Sequence, residues 1–333
     1  MDSLLLRSAE ELFSRHASSD AVRAIRAGGS PGALWRELQA SGFLDALVPE
    51  TAGGTGLGLA EALPVLMAAG RFAVPLPVGE TMLARAVLAE AGQERPEGTI
   101  LLGEPFDGGA RVPASSAAEW VLLSRNAAPL LRRAEEAQRD DRMASPFGDL
   151  LRWPGDAGGD GGPEELHAAG AWAELAAMAG AMERILESTV RHAQERVQFG
   201  RPVAAFQAVQ QQISVMTEDV FAARMAAQLA SVPDGPGIAG LNPLRIAAAK
   251  LRVGEAAMRV SAIAHAVHGA MGITEEMDLH LLTGRLQAGR MRFGGEAHWG
   301  ARLGRHFLRA GDAMDPLAFV RAHLGPMEPE TTA

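Results

Sequence analysis

The second half of the chain restricts its fold more than any other feature. From Glu164 onward, apolar residues recur at three- and four-residue intervals: Trp172, Leu175, Met178, Ala179 and Met182, then Ile213, Met216, Val220 and Phe221, and again between Ile246 and Ile263. That interval gathers them on one side of a helix of 3.6 residues per turn. Much of the filling is alanine, small enough for helix axes to approach closely. The pattern therefore predicts several long antiparallel helices packed as a bundle.

The first half divides in two. Up to residue 95 the pattern is again helical, with Leu34, Leu38, Phe43 and Leu44 approximating one stripe and Leu59 to Met67 another. Between them runs a glycine-rich stretch, Val48 to Gly58. It has no strand before it and no Gly-Lys-Ser/Thr after it, and so reads as a structural turn rather than a phosphate cradle. Residues 96–163 change character. The runs Thr99–Leu102 and Glu119–Leu123 are β-like and suggest a small sheet. The charged run Arg132–Arg142 interrupts that sheet and reads as solvated surface, and Pro154–Pro163 reads as a flexible joint. The expected order is a helical domain (1–95), a small central β-domain (96–163), a helical bundle (164–311) and a Pro-bearing, weakly patterned tail (312–333) that frays. The fold class is mainly α with a small central β-domain.

Composition narrows the chemistry. The 333 residues include no cysteine, which excludes disulfides, thiolate zinc sites, iron–sulfur clusters and cysteine nucleophiles, and points to a cytoplasmic protein. A net charge of -9 without a basic patch argues against nucleic acid as partner. No stretch is long and uncharged enough to span a bilayer, and the first residues lack the layout of a signal peptide. His265 and His268 lie three apart with no third ligand nearby, so no metal site is expected.

Three segments carry a family resemblance. Gln194–Met216 (Gln-Glu-Arg-Val-Gln-Phe-Gly-Arg-Pro and onward) closely resembles the signature of acyl-CoA dehydrogenases at a helix-to-loop junction. Val267–Glu276 resembles that family's glycine turn between later helices, and Ala33–Glu50 its N-terminal helical domain. The resemblance covers nearly the whole chain in the right order. It implies an oligomer in which FAD lies across two subunits, its flavin against one subunit's β-domain and its diphosphate and adenine against another's bundle. Arg196 matches the arginine that reaches the diphosphate, a role suited to a forked guanidinium. Gln198 and Phe199 match its neighbours, Gln207 follows as a further cofactor contact, and Gly269 and Gly272 match glycines that let backbone approach phosphate. For Arg196 the bland alternative is a surface ion pair with Glu195 or Asp219. The implied reaction is α,β-desaturation of an acyl-CoA thioester: a glutamate takes the α-proton while the β-hydride passes to the flavin.

The sequence also departs from the family. One position for the glutamate base falls on Gly295, with Glu296 one residue late; the other falls on Gly170 or Ala171, with Glu174 about a turn further on. Glu296 is thus the nearest candidate base, and the alternative is a base supplied by a partner. The family's flavin-facing Thr-Glu-Pro-x-x-Gly-Ser-Asp segment is not found between Pro96 and Pro163. Ala266 replaces a glutamine, and Ala297 and Trp299 replace the Thr and Gln that commonly follow the base. A damaged flavin face beside a surviving diphosphate face resembles the heteromeric dehydrogenases of actinobacterial sterol-side-chain breakdown. That implies a heterotetramer with a second acyl-CoA dehydrogenase-like subunit, in steroid and lipid degradation. A catalytically silent partner, or a homo-oligomeric flavoenzyme of altered chemistry, are the competing expectations.

Overall fold

The computed structural model describes residues 4–106, 108–113, 118–125, 128–140, 148–154, 164–274, 276–310 and 315–325. Five helices open the chain: α1 (Leu4–His16), α2 (Ser19–Arg26), α3 (Gly32–Ala40), α4 (Leu59–Arg71) and α5 (Val78–Glu90). Ser18 caps α2 through its hydroxyl, and the Glu61 carboxylate accepts the Gly58 N–H at the start of α4. The Val48–Gly58 turn spends its donors on its own surroundings: the N–H groups of Thr55, Gly56 and Leu57 reach the carbonyls of Asp45, Val48 and Ala46. Phe43 and Leu44 are buried, but in a 3-10 turn beyond the end of α3 rather than on its stripe.

Among the described residues, seven short strands follow: β1 (Ile100–Leu102), β2 (Glu104–Phe106), β3 (Gly109–Val112), β4 (Trp120–Arg125), β5 (Ala128–Arg133), β6 (Gln138–Arg139) and β7 (Asp149–Arg152). They form a three-stranded sheet, β1-β4-β5, and a four-stranded sheet, β2-β3-β7-β6. The first is buried on both faces. Ile100, Leu102 and Leu122 join the main core against the helices, while Leu101, Val121 and Leu123 turn the other way, to a second core with Ala110, Val112, Leu151 and Trp153. Two-residue alternation buried on both sides explains why these strands read as unbroken apolar runs. The charged run contributes to both sheets, Arg132 and Arg133 in β5 and Gln138 and Arg139 in β6, rather than interrupting them. Of the expected joint, residues 155–163 lie outside the described residues.

The bundle consists of α6 (Glu164–Glu195), α7 (Gln207–Ala230), α8 (Pro243–His268), α9 (Leu279–Met291) and α10 (Glu296–Arg309). A hairpin of β8 (Val197–Gln198) and β9 (Arg201–Pro202) joins α6 to α7. Asn242 caps α8, with Pro243 at its first position, where the missing N–H costs nothing. The buried line of α7 is Met216, Val220, Ala223, Ala227 and Ala230. Phe221, read from spacing as part of that stripe, is instead 58% exposed. The described part of the tail holds a helix, α11 (Pro316–His323), capped by the Asp315 carboxylate. One core runs through the N-terminal helices and the bundle. At the crossing of α4 and α6, Gly70 lies directly on the Ala177 backbone and Gly180 on that of Met67, with no room at either for a Cβ.

Candidate functional site

Two places gather the residues singled out in the sequence. The first is the end of the bundle where α6 and α8 finish. The hairpin after α6 turns on Phe199 and Gly200, both left-handed (φ 52° and 78°). This is the two-residue geometry whose twist suits a tight hairpin, and it is uncommon for an aromatic residue. The result is a displayed ring: Phe199 is 91% exposed, edge-on to Phe206 at 6.0 Å, while the Arg201 guanidinium covers Phe206 at 4.2 Å. Arg196, Gln198 and Gln207 are also exposed. The bland alternative for Arg196 is not observed. The Asp219 carboxylate is held by Arg252 at 2.7 Å and Arg259 at 2.6 Å, and Arg196 makes no ion pair among the described residues.

Across from the hairpin, α8 ends at Gly269, which has φ 60° and open space where a Cβ would stand. Its N–H bonds the His265 carbonyl. Gly272 is glycine for another reason, since a Cβ there would lie 2.9 Å from the Cβ of His268. The two helix ends are joined by a stacked pair that no sequence spacing reveals, His192 on His268 with ring centroids 4.4 Å apart. An unpaired exposed guanidinium, a displayed aromatic ring and an open positive-φ glycine suit a dinucleotide diphosphate.

The second place is the turn between α9 and α10. Glu296 is the first residue of α10, beside Gly254 of α8, whose lack of a side chain leaves room for its carboxylate. Arg290 donates to it at 2.7 Å. Burial pushes this carboxyl up, yet the Arg290 hydrogen bond and charge hold it below the ordinary range. Gly254 and Gly269 are fifteen residues apart on one helix, so this turn lies about 22 Å along α8 from the first place.

Here the chain fills its own interior. Phe293, 1% exposed and left-handed at φ 51°, presses its ring against Gly170, where a Cβ would be 2.5 Å from ring atoms. No larger residue fits at position 170. Trp299 locks the turn by donating to the carbonyls of Phe293 and Gly294 at 2.9 and 3.0 Å. Glu174 is tied to Arg285 at 2.6 Å; burial opposes its charge, but Arg285 holds its pKa below normal. Arg292 reaches Glu80 of α5 at 2.9 Å and Glu104 of β2 at 2.8 Å. The Lys250 ammonium, 2% exposed, caps α9 through the carbonyls of Gly289 and Arg290, and burial pulls its pKa down to about 8. His167, against Phe293 and His298, is pulled by burial and then by His298 to about 4. A 20 Å³ cavity lies between Phe293, His167, Glu104 and Ser124, and one of 40 Å³ beside Glu80, Glu174 and Arg285. These charge pairs are far apart in sequence and carried no local signal.

Among the described residues there is no group of potential metal ligands and no helix long and apolar enough to cross a membrane.

An N-terminal helical layer, two small sheets and an antiparallel bundle recur in solved structures. The ChsE4-ChsE5 complex from Mycobacterium tuberculosis contains a chain that matches with a TM-score of 0.78 at 21% identity, over 92% of this chain and 98% of that one. The Tcur3481-Tcur3483 steroid ACAD G363A variant matches with a TM-score of 0.77 at 24% identity, over 92% and 97%. These matches define the architecture as that of acyl-CoA dehydrogenases. In sequence, residues 2–101 match the family model of the acyl-CoA dehydrogenase N-terminal domain and residues 168–302 that of the C-terminal domain. Acyl-CoA dehydrogenase IpdE2 of Mycobacterium tuberculosis is 31% identical over 287 residues, 84% of this chain and 88% of the relative. The chain belongs to the acyl-CoA dehydrogenase family.

Proposed function

We propose that this chain is one subunit of a heteromeric, cytoplasmic acyl-CoA dehydrogenase that shares FAD with a second, different member of the family and desaturates a bulky acyl-CoA of steroid-degradation type. One contrast carries this reading. The diphosphate-facing end is open and its cation unpaired, whereas the interior beside both family positions for the base is filled by Phe293, Trp299 and buried ion pairs. Two of the similar solved structures are of paired proteins, ChsE4 with ChsE5 and Tcur3481 with Tcur3483, the latter a steroid enzyme, which supports the heteromeric form.

In this reading Arg196 and Gln198 hold the diphosphate, Phe199 packs on the cofactor, Gln207 and Gly269 complete that wall, and Gly272, buried against His268, backs it. Bound FAD supplies the hydride acceptor. The chain's own task is to fix the dinucleotide so that the flavin meets the substrate at the partner's face, since small misplacements are expensive in rate. The base comes from the partner. Glu296, tied to Arg290 with its pKa held low, is a weak proton acceptor and serves to hold the turn.

The test is flavin stoichiometry. Purified alone, the chain is expected to hold little FAD and to show no acyl-CoA dehydrogenation with an artificial acceptor. Co-expressed with a complementary family member, it is expected in a complex with fewer flavins than chains and with turnover. A lone homo-oligomer with one FAD per chain and steady turnover would overturn the reading.

A further inference from the structure

The stacked histidines at the bundle end have no role in the reading above. His192 lies four residues before Arg196, whose N–H bonds the His192 carbonyl at 2.9 Å. His268 is the last residue of α8, immediately before Gly269. The residue is 4% exposed, and its Nδ1 lies 2.8 Å from the Ala264 carbonyl. A carbonyl can only accept, so Nδ1 carries the hydrogen and Nε2 is a bare lone pair. That Nε2 is buried without a protein partner, an arrangement that costs free energy unless something else repays it.

The surroundings favour the neutral form of both rings. Burial acts first on each, followed for His192 by His268 and Arg196 against the opposing pull of Glu195; for His268 the Ala264 carbonyl opposes burial, and His265 adds to it. On its other side His268 lines a 420 Å³ cavity with Arg71, Arg184 and Arg191 and with Glu276 and Asp278. Arg71 is balanced there by Glu187 and Glu10, and Asp278 by Arg23. Arg184 also reaches Glu187, so among the described residues the cations near the pair without an ion pair are Arg191 and Arg196, at the end of α6 where the diphosphate would lie.

We infer that the His192–His268 pair belongs to the dinucleotide site and takes up one proton from solvent when a diphosphate binds at Arg196. The inference rests on the cofactor placement proposed above. A diphosphate diester brings two negative charges beside rings that burial and cations keep neutral, and so stabilises the imidazolium. Stacking this close disfavours a second cation, so the pair gains one proton rather than two. Protonation also turns the orphaned Nε2 from a bare acceptor into a donor. The sign follows: the pair is neutral when free and charged when bound, so affinity rises as pH falls from the bound-state pKa to the free-state pKa and is flat outside that window.

ADP-ribose is the suitable probe, because it has the same adenosine diphosphate diester and no phosphate that titrates near neutrality. Calorimetric titration of the flavin-free complex of this chain with its complementary subunit is expected to show tighter binding at lower pH, by up to about tenfold per pH unit within the window. In buffers of different ionisation enthalpy it should show uptake approaching one proton. The double variant His192→Gln/His268→Gln, if it folds by circular dichroism, should bind with the pH slope removed, whereas either single change leaves one ring to take the proton. Binding by the wild-type chain with no slope and no proton uptake overturns the inference while leaving the cofactor placement standing. Absence of ADP-ribose binding at every pH, or an Arg196→Ala chain that binds as tightly as wild type, overturns the placement and the inference with it.

Discussion

At the scale of single residues, Arg196 and Glu296 divide the two halves of the proposed chemistry. Arg196 is exposed and without an ion-pair partner among the described residues, so removing it disturbs no internal contact. Arg196→Ala in the complex is expected to weaken FAD retention by about 10- to 150-fold, the worth of a charge-assisted hydrogen bond, with an unchanged melting temperature. Full flavin occupancy on dilution would place the diphosphate elsewhere. Glu296 is the reverse case, a half-buried carboxylate spent on Arg290. Glu296→Gln should leave turnover within a few-fold while lowering stability by about 1 kcal/mol. A fall of several orders of magnitude in kcat, with the complex and its flavin intact, would return the base to this chain. The Gln194–Met216 stretch was legible because its residues are consecutive and act as a unit. The histidine pair was not, because His192 and His268 meet only through the parallel course of α6 and α8.

At the scale of elements, the end of α9 depends on a buried lysine. Lys250 donates to the last carbonyls of that helix, and burial pulls its pKa to about 8, against about 10.4 in an unfolded chain. Between those values the unfolded chain holds the proton and the folded one does not, so folding is favoured increasingly as pH rises through the window. Urea unfolding of the wild type and of Lys250→Met, at pH values from about 7.5 to 9.5, should show the difference between them move in favour of the wild type by about 2 kcal/mol. A difference that does not change with pH would mean that Lys250 titrates as it would in water. Elements were legible where periodicity ran long. The bundle helices are named by their alanine-lined stripes, although Phe221 shows that an apolar residue at the right interval can still face outward. Strands such as Glu104–Phe106 and Gln138–Arg139 are too short and polar to signal themselves; neighbouring strands hold them, not their own preference.

At the scale of the whole molecule, Arg292 ties the helical layer, the sheets and the bundle together through Glu80 and Glu104. Glu80 also accepts the Leu102 N–H at 2.7 Å. Arg292→Met would leave two carboxylates facing each other without their cation, and should cost about 3–5 kcal/mol in urea denaturation; a loss below about 1 kcal/mol would show that the network is dispensable. The sequence could not disclose this tie, because Glu80 and Arg292 are 212 residues apart and each alone reads as ordinary surface charge. The crossing of α4 and α6 has a different consequence. With Gly70 and Gly180 each set against the other helix's backbone, a slide of one residue in either direction would drive a side chain into main chain. The crossing behaves as a riveted joint rather than a bearing. At this crossing α4 is therefore barred from sliding along α6, and a ligand that enters the molecule cannot do so by shearing these two helices apart in register.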